Sequence, residues 1–499
     1  MEYKTLAAVD LGSNSFKLQI ARVVGDQLYL LDAIKEPVRL AAGLTQSREL
    51  DDDSRSRAVD CLKRFGDRLR HYPQGTVRAV GTSALRLAQD TGNFLVEAEA
   101  ALGFPIEIIA GREEARLIYV GVAHSLPAYP GRRLVVDIGG GSTECIVGQG
   151  LEPQRMESLH MGCVNFSLKY FADGRIDRAT LREAELDARN RAQIIAADYA
   201  GTWGEAIGSS GTAKALADIL EMSALSESGI TSEGLDRLRS LLIKAGHIDN
   251  LQLPGLRPDR KPVIVGGFAI MAGIFAELGI ERMQTAQGAL REGLLYDLLG
   301  RFHHADMRES TVEAFMRRYQ IDHAQAQRVE SFAEQMLDMM APGLSGDVMD
   351  AYRFLRWAAR LHEIGISIAH SGYHKHGAYI LENADMPGFS QRDQERLARL
   401  VRAQRGSLSK IPEFLSTPGN SADDRLLVQA LRLAVAFNRG RRELAWPPSV
   451  RLDCGTRSCK LSLGRDWLEA HPLVETELAS ESADWAACGI DFRLKVLEA

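Results

Sequence analysis

Long apolar runs, a leader segment and cysteines at metal-ligand spacing are what this sequence lacks. No stretch approaches the roughly 20 apolar residues that a bilayer span needs. Residues 1–30 do not show the basic-then-apolar layout of a signal peptide. These absences argue for a cytoplasmic chain, with a peripheral position at the inner face of the membrane left open. The six cysteines (Cys61, Cys145, Cys163, Cys454, Cys459, Cys488) have no metal-ligand spacing, so reduced thiols are the expectation. A surplus of positive charge is missing too. The formal net charge is −6, which excludes a global nucleic-acid binder and leaves any polyanion to a local basic path.

What is present is a globular composition, 45% hydrophobic and 25% charged over 499 residues, long enough for about three or four domains. One stretch organises the rest: an apolar strand-like run from Leu134 ends at Asp137, and Gly139, Gly140, Gly141, Ser142, Thr143 and Glu144 follow. Glycines let backbone N–H groups approach an anion closely. The hydroxyls add donors, and Asp137 and Glu144 offer hard oxygens suited to Mg²⁺. The device occurs a second time near the start. Laying Asp10 on Asp137 puts Gly12 on Gly139 and Ser15 on Ser142, with Ser13 and Asn14 between. Two such copies predict two similar lobes facing one anion.

Along the chain, strands alternate with helices across 1–300, which predicts α/β layers. Arg86 follows the turn at Gly81, where it reaches a phosphate or serves as an ion-paired helix arginine. Glu114 falls in the first turn of a helix opening at Gly111. An acid there favours the helix dipole by about 0.3–1 kcal/mol, so chemistry alone reads it as a helix-start residue. Gly208, Ser209, Ser210, Gly211 and Thr212 form another strand-end turn before a helix, a place where anions bind readily. Residues 261–269 read as a buried strand, paired glycines and a helix, and 288–293 as a cap on the helix closing this half.

Residues 305–445 are helical in periodicity, and seven of the twelve histidines fall between His303 and His376. With Arg402 and Arg405, the histidines at His362, His370, His374 and His376 outline a polyanion path. Unrelated surface histidines and a metal site compete with that reading, although Glu363 stands where a His-Asp metal pair wants Asp. From about residue 449 short strands predict a small α+β piece.

Ten runs together resemble one family over nearly the whole chain: DLGSNSF, GTSALR, GREEAR, DIGGGSTE, MGCV, GSSGT, VGGFAI, GALREG, RWAARLHEIG and HSGYHKHGAYIL. They resemble, in order, the exopolyphosphatase / guanosine pentaphosphate phosphohydrolase family. The resemblance implies two duplicated actin-like, sugar-kinase-like (ribonuclease H-like) α/β lobes around a phosphate cleft. A helical HD-like domain and a small C-terminal α+β domain would follow, giving 1–125, 126–303, 304–447 and 448–499 here. It implies Glu114 as catalytic base, and Mg²⁺ held by Asp137 and Glu144 with Asp10 close by. K⁺ is a further candidate ion. The cradle would be Gly12 to Ser15, Arg86, Gly139 to Thr143 and Gly208 to Thr212. A homodimer is implied as well. The expected activity is exopolyphosphatase, releasing terminal orthophosphate from inorganic polyphosphate, towards which HSGYHKHGAYIL leans. The alternative substrate is guanosine pentaphosphate, losing its terminal 5′-phosphate; a kinase and a non-catalytic sensor are more distant rivals. A helix-start Glu114 is expected to have a low pKa and to act mainly by orienting water.

Overall fold

The computed structural model describes residues 5–25, 27–45, 47–89, 91–302, 306–408, 422–454, 458–486 and 490–498. His303, Cys488 and the expected boundary at 303–304 lie outside them. The chain divides into two compact units, Met1–Met307 and Arg308–Ala499.

The first unit opens on a meander of β1 (Thr5–Leu11), β2 (Phe16–Val24) and β3 (Gln27–Glu36). Helix α1 (Asp52–Leu69) follows, capped by Asp51, whose carboxylate accepts from the Ser54 amide at 2.7 Å. Then come β4 (Val77–Gly81), α2 (Ser83–Leu87), α3 (Thr91–Leu102), β5 (Ile106–Ile108) and α4 (Gly111–Ser125). The sheet order is β3-β2-β1-β4-β5, with β1 antiparallel to β2 and parallel to β4.

The chain then repeats itself. The second lobe begins with β6 (Arg132–Ile138), β7 (Thr143–Gln149) and β8 (Glu152–Leu159). After α5 (Cys163–Tyr170) and α6 (Arg178–Tyr199) come β9 (Glu205–Gly208), α7 (Gly211–Met222), β10 (Ile230–Thr231) and α8 (Ser232–Ala245). It closes with α9 (Ile264–Leu278), β11 (Arg282–Thr285) and α10 (Leu290–Phe302). Its sheet order is β10-β11-β9-β6-β7-β8. Read from β8 inward to β11, it reproduces the first sheet strand for strand, with β6 antiparallel to β7 and parallel to β9.

Alternate residues of each first strand serve different cores, as a period of two requires. Ala7 and Val9 pack towards α1 and α3, while Leu134 and Val136 pack towards α6, α7 and α9. Leu6, Ala8 and Val135 instead join a shared cluster with α4 and α10. That crossing depends on glycine. A Cβ on Gly121 would overlap the Ala289 carbonyl oxygen, and one on Gly293 the Leu117 carbonyl oxygen. The 288–293 run therefore packs one helix onto another rather than only capping it.

Residues 261–269 depart from the expected strand. Lys261–Val263 is a 3-10 turn, and Ile264 begins α9, whose residues are buried nearly throughout. A continuous apolar run has no period by which to tell strand from buried helix. The expectation that no stretch approaches a membrane span is corrected by Lys261–Leu278, the one helical stretch among the described residues long and apolar enough to cross a membrane, 72% of which is buried inside the fold.

The second unit begins with helices over Met307–Arg318, His323–Met340, Val348–Leu361, Tyr373–Asn383, Gln391–Ala403 and Ala422–Phe437. A sheet of β12 (Arg451–Cys454), β13 (Ser458–Gly464) and β14 (Asp491–Leu497) shares their core, since Leu461 and Phe492 cluster with Trp357 and Phe389. Cys454 and Cys459 form a disulfide, which corrects the expectation of reduced thiols throughout. They are directly opposed across the β12–β13 hairpin, so strand register alone brings their sulfurs together.

Candidate active site

Asp10 and Asp137 each stand one residue before the end of the first strand of a lobe. The turns that follow face each other across a cavity of about 410 Å³. Their backbones are held from behind in parallel ways. In the first lobe the Arg39 and Ala41 amides donate to the carbonyls of Asn14 and Ser13, both at 2.9 Å. In the second the Cys163 and Val164 amides donate to Gly139 and Gly140 at 2.9 and 3.0 Å. The MGCV run is thus a buttress, and Gly162 is required because a Cβ there would overlap the Gly140 carbonyl. Anchored carbonyls on the far side leave the amide side of each turn for the cavity.

The acidic floor of the cavity is formed by Asp10, Glu114 and Asp137. Asp10 accepts from Lys17 Nζ at 3.1 Å, and Asp137 accepts from Ser209 Oγ at 2.6 Å. Glu114 enters on the first turn of α4, where Arg86 Nη1 donates to it at 2.7 Å. Burial raises the Glu114 pKa, with Asp10 and Asp137 adding to the shift and Arg86 opposing it. This corrects the expectation of a low value: enclosure outweighs the helix start. Burial raises Asp137 as well.

Gly12 to Ser15, Gly139 to Ser142 and Ser209 to Thr212 all line the cavity, as their motifs suggest. Arg86, Glu144, Thr143 and Gly208 do not stand among its lining residues. Arg86 is engaged with Glu114 and with the Ile109 carbonyl at 2.9 Å. Glu144 is buried beside the floor and accepts from Ser158 Oγ at 2.8 Å. Burial, then Glu114 and Asp137, push its pKa well above the ordinary range. Thr143 Oγ1 donates to the Met161 carbonyl at 2.6 Å. Gly208 packs against Ala213 and Met283 instead. Two lining hydroxyls are also committed inside the protein. Ser210 caps α7 by accepting from the Ala213 amide, and Thr212 Oγ1 donates to the Ile138 carbonyl at 3.0 Å.

Sequence reading missed the cationic rim. Lys17, Lys35, Lys214, Arg257, Arg260 and Arg291 line the same cavity, and they come from five separate segments with no motif to group them. Arg260 lies against Gly211, where a Cβ would overlap its guanidinium. Lys35 of the first lobe pairs with Asp259 of the second at 3.4 Å. Burial and the Arg260 charge lower its pKa. Ser83 was missed as well: it lines the cavity, although only Arg86 had been singled out from its run.

In the second unit the histidines do not form the cationic path expected. His362 is fully buried, its Nδ1 within 2.7 Å of the Ala359 carbonyl, and burial lowers its pKa. Burial, with Lys375 and Arg405 nearby, lowers His374 to about 4, so it is uncharged near neutrality. His370 is exposed and His376 half-buried, while Arg405 lies over the Tyr373 ring and Arg402 is half-buried. Among the described residues no group of three His, Cys, Asp or Glu is placed to hold a metal by itself.

Comparison with known proteins agrees with this architecture. Residues 19–302 match the model of the Ppx/GppA phosphatase family, and residues 307–482 that of Ppx/GppA phosphatase, domain III. A Vibrio cholerae protein named guanosine-5'-triphosphate,3'-diphosphate pyrophosphatase is 38% identical over 477 residues, 95% of each chain. An Aeromonas hydrophila protein of the same name is 39% identical over 476 residues, again 95% of each. Among solved structures, an exopolyphosphatase from Cytophaga hutchinsonii gives a TM-score of 0.53 at 24% identity, over 59% of this chain and 97% of that one. The Aquifex aeolicus Ppx/GppA family member gives 0.50 at 23%, over 60% and 99%. At such identities these structures show the fold alone, a pair of actin-like α/β lobes. The expectation of an exopolyphosphatase is overturned by the near-full-length relatives, which carry the guanosine name. That expectation leaned on HSGYHKHGAYIL, a run of the second unit that is not among the cavity's lining residues, while the turn motifs point to a terminal phosphoryl group that both substrates possess. Matched in order from the first lobe to the last helices, the chain belongs to the Ppx/GppA phosphatase family.

Proposed function

We propose that this chain hydrolyses guanosine 5′-triphosphate 3′-diphosphate, releasing its terminal 5′-phosphate as orthophosphate. The chemistry is supported by one observation, the cavity that joins both turns to Glu114. The substrate is supported by the relatives' name at 38–39% identity over 95% of the chain. The six-cation rim suits a ligand with phosphates on two arms.

Phosphoanhydride cleavage passes through a loose transition state and needs positioning and charge stabilisation more than covalent chemistry. The amides of both turns hold the terminal phosphoryl group in place. Glu114 holds the attacking water and takes its proton. The water oxygen bonds to phosphorus, the bond to the bridging oxygen breaks, and the electron pair leaves with the 5′-diphosphate. The raised pKa of Glu114 makes it a better base than a free carboxylate, and Arg86 fixes its orientation.

The donor set fits Mg²⁺. Asp137, Glu144 and Glu114 are crowded carboxylates: after burial, Glu114 and Asp137 raise the Glu144 pKa, and Asp137 raises that of Glu114 against the opposing Arg86. Mg²⁺ is commonly bound by one or two carboxylates together with substrate phosphates and water, which agrees with the lack of a three-ligand protein cage among the described residues. Asp137 would hold the ion from the cavity, with Glu144 behind it. A bound divalent ion supplies charge neutralisation at the phosphate oxygens. A homodimer belongs to the proposal on family resemblance and a cytoplasmic location on the sequence reading, and sedimentation of the full chain tests the first.

The deciding experiment measures orthophosphate release, with Mg²⁺, from guanosine 5′-triphosphate 3′-diphosphate and from long-chain polyphosphate side by side. Preference for the guanosine compound, lost by about 10²–10⁴-fold in Glu114→Ala, is expected. Preference for polyphosphate, or full activity in the variant, would sink the reading.

A further inference from the structure

We propose, resting on the phosphohydrolase reading above, that Ser83 is a catalytic residue whose hydroxyl donates to an oxygen of the terminal phosphoryl group during its transfer to water. Ser83 is the first residue of α2, where the chain turns out of β4. Ser83 lines the cavity, and its Oγ is buried with no hydrogen-bond partner among the described residues. A buried hydroxyl left unpaired is unfavourable, and native proteins keep few of them.

A second orphan lies beside it. Ser13 Oγ, from the β1–β2 turn, is also buried and unpaired in the same cavity. Both approach Gly141 of the opposite lobe: a Cβ there would lie 2.6 Å from Ser83 Oγ and 3.3 Å from Ser13 Oγ. Three elements thus bring donors to one place, two of them hydroxyls without partners. Ser209, Ser210 and Thr212 of the same lining are bonded within the protein, whereas Ser83 and Ser13 are both buried and unpaired.

Position on α2 couples the hydroxyl to the base. Ser83 and Arg86 are three residues apart and so share one helix face. The same short helix that fixes Glu114 through Arg86 therefore presents Ser83 to the phosphate. As the bridging bond breaks, charge spreads over the phosphoryl oxygens, and a donor free until then stabilises that charge. Ser83 keeps its proton, since the proton of the water goes to Glu114.

Ser83→Ala tests this. Removing a hydroxyl that has no partner leaves no new orphan, so Tm is expected to equal or exceed that of wild type. The kcat for release from guanosine 5′-triphosphate 3′-diphosphate is expected to fall about 10–100-fold. Affinity for guanosine 5′-diphosphate 3′-diphosphate, which lacks the group Ser83 touches, should change less than about twofold. Orthophosphate binding, read by calorimetry, should weaken in the variant whatever the wild type hydrolyses. Unchanged kcat with unchanged orthophosphate binding would overturn the proposal. So would a loss of activity matched by a fall in Tm, which marks a structural role. A wild type inactive on the guanosine compound sinks the functional reading alone, and the orthophosphate measurement then decides Ser83.

Discussion

The hairpins β1–β2 and β6–β7 are one device built twice with opposite electrostatics. In each, an aspartate precedes a turn, and the residue across the ladder is Lys17 for Asp10 but Glu144 for Asp137. The first lobe therefore neutralises its own carboxylate, through an ion pair of 3.1 Å. The second sets two carboxylates opposite each other, and their side-chain hydrogen bonds among the described residues come from hydroxyls, Ser209 and Ser158. Fold, register and turn are conserved between the lobes while a single position reverses sign. The comparison teaches that the two turns differ in charge at one ladder position, and it is the second hairpin's unneutralised pair that the proposed Mg²⁺ would answer.

The sharpest way to break that asymmetry is Glu144→Lys, which gives the second hairpin the charge pattern of the first. An internal ammonium would pair with Asp137 and Glu114 and compete with Mg²⁺. We expect kcat/KM to fall by at least about 100-fold, or about 2.7 kcal/mol, and the response to added Mg²⁺ to disappear. Activity within tenfold of wild type, still rising with Mg²⁺, would mean the asymmetry has no part in ion binding.

How much of this was legible beforehand follows from what each signal reports. The alignment of Asp10 on Asp137 rested on local turn chemistry, which needs no tertiary contact, and the two sheets carry it in matching positions. The identity of α9 was not legible, because an enclosed helix and an enclosed strand both read as a continuous apolar run. Arg86 and Glu114 could each be named, but not their 2.7 Å contact or the raised pKa, which comes from burial that only the closed cavity creates. Lys214 and Arg257 are ordinary charged residues in their own segments; folding alone gathers them.

Helices α4 and α10 pack closely against each other between the two sheets, and Gly121 is one of the points where they approach. Gly121→Ala forces a methyl group onto the Ala289 carbonyl oxygen, so α10 must move off α4. Overpacking of this kind costs about 1–3 kcal/mol. The variant should unfold at lower denaturant with an unchanged m-value, and unchanged stability would show that the crossing has slack. In the first lobe, Lys17→Met removes the partner of Asp10 and a cation from the cavity. A loss of about tenfold in kcat/KM, near 1.4 kcal/mol, is expected, and it should be well below the effect of Glu144→Lys. The reverse ranking would place the essential charge in the first hairpin instead.

The smallest effect is the most specific to the comparison. Glu144 has a folded pKa raised well above its ordinary value, so between the unfolded and folded values the native state holds the extra proton. Stability then falls as pH rises through that window, and is lowest once the folded carboxyl has ionised. Glu144→Gln removes this titration and keeps the side-chain shape. Without divalent cations the variant should be more stable than wild type at pH 8, by about 1 kcal/mol or a Tm gain of about 2 °C. The gap should close towards pH 4, where both side chains are neutral. Mg²⁺ should also close it at pH 8, because the ion gives the wild-type carboxylates the partner their hairpin lacks. A gap of the same size at both pH values would show that shape, not charge, separates the two, and would remove the electrostatic contrast between the lobes at this position.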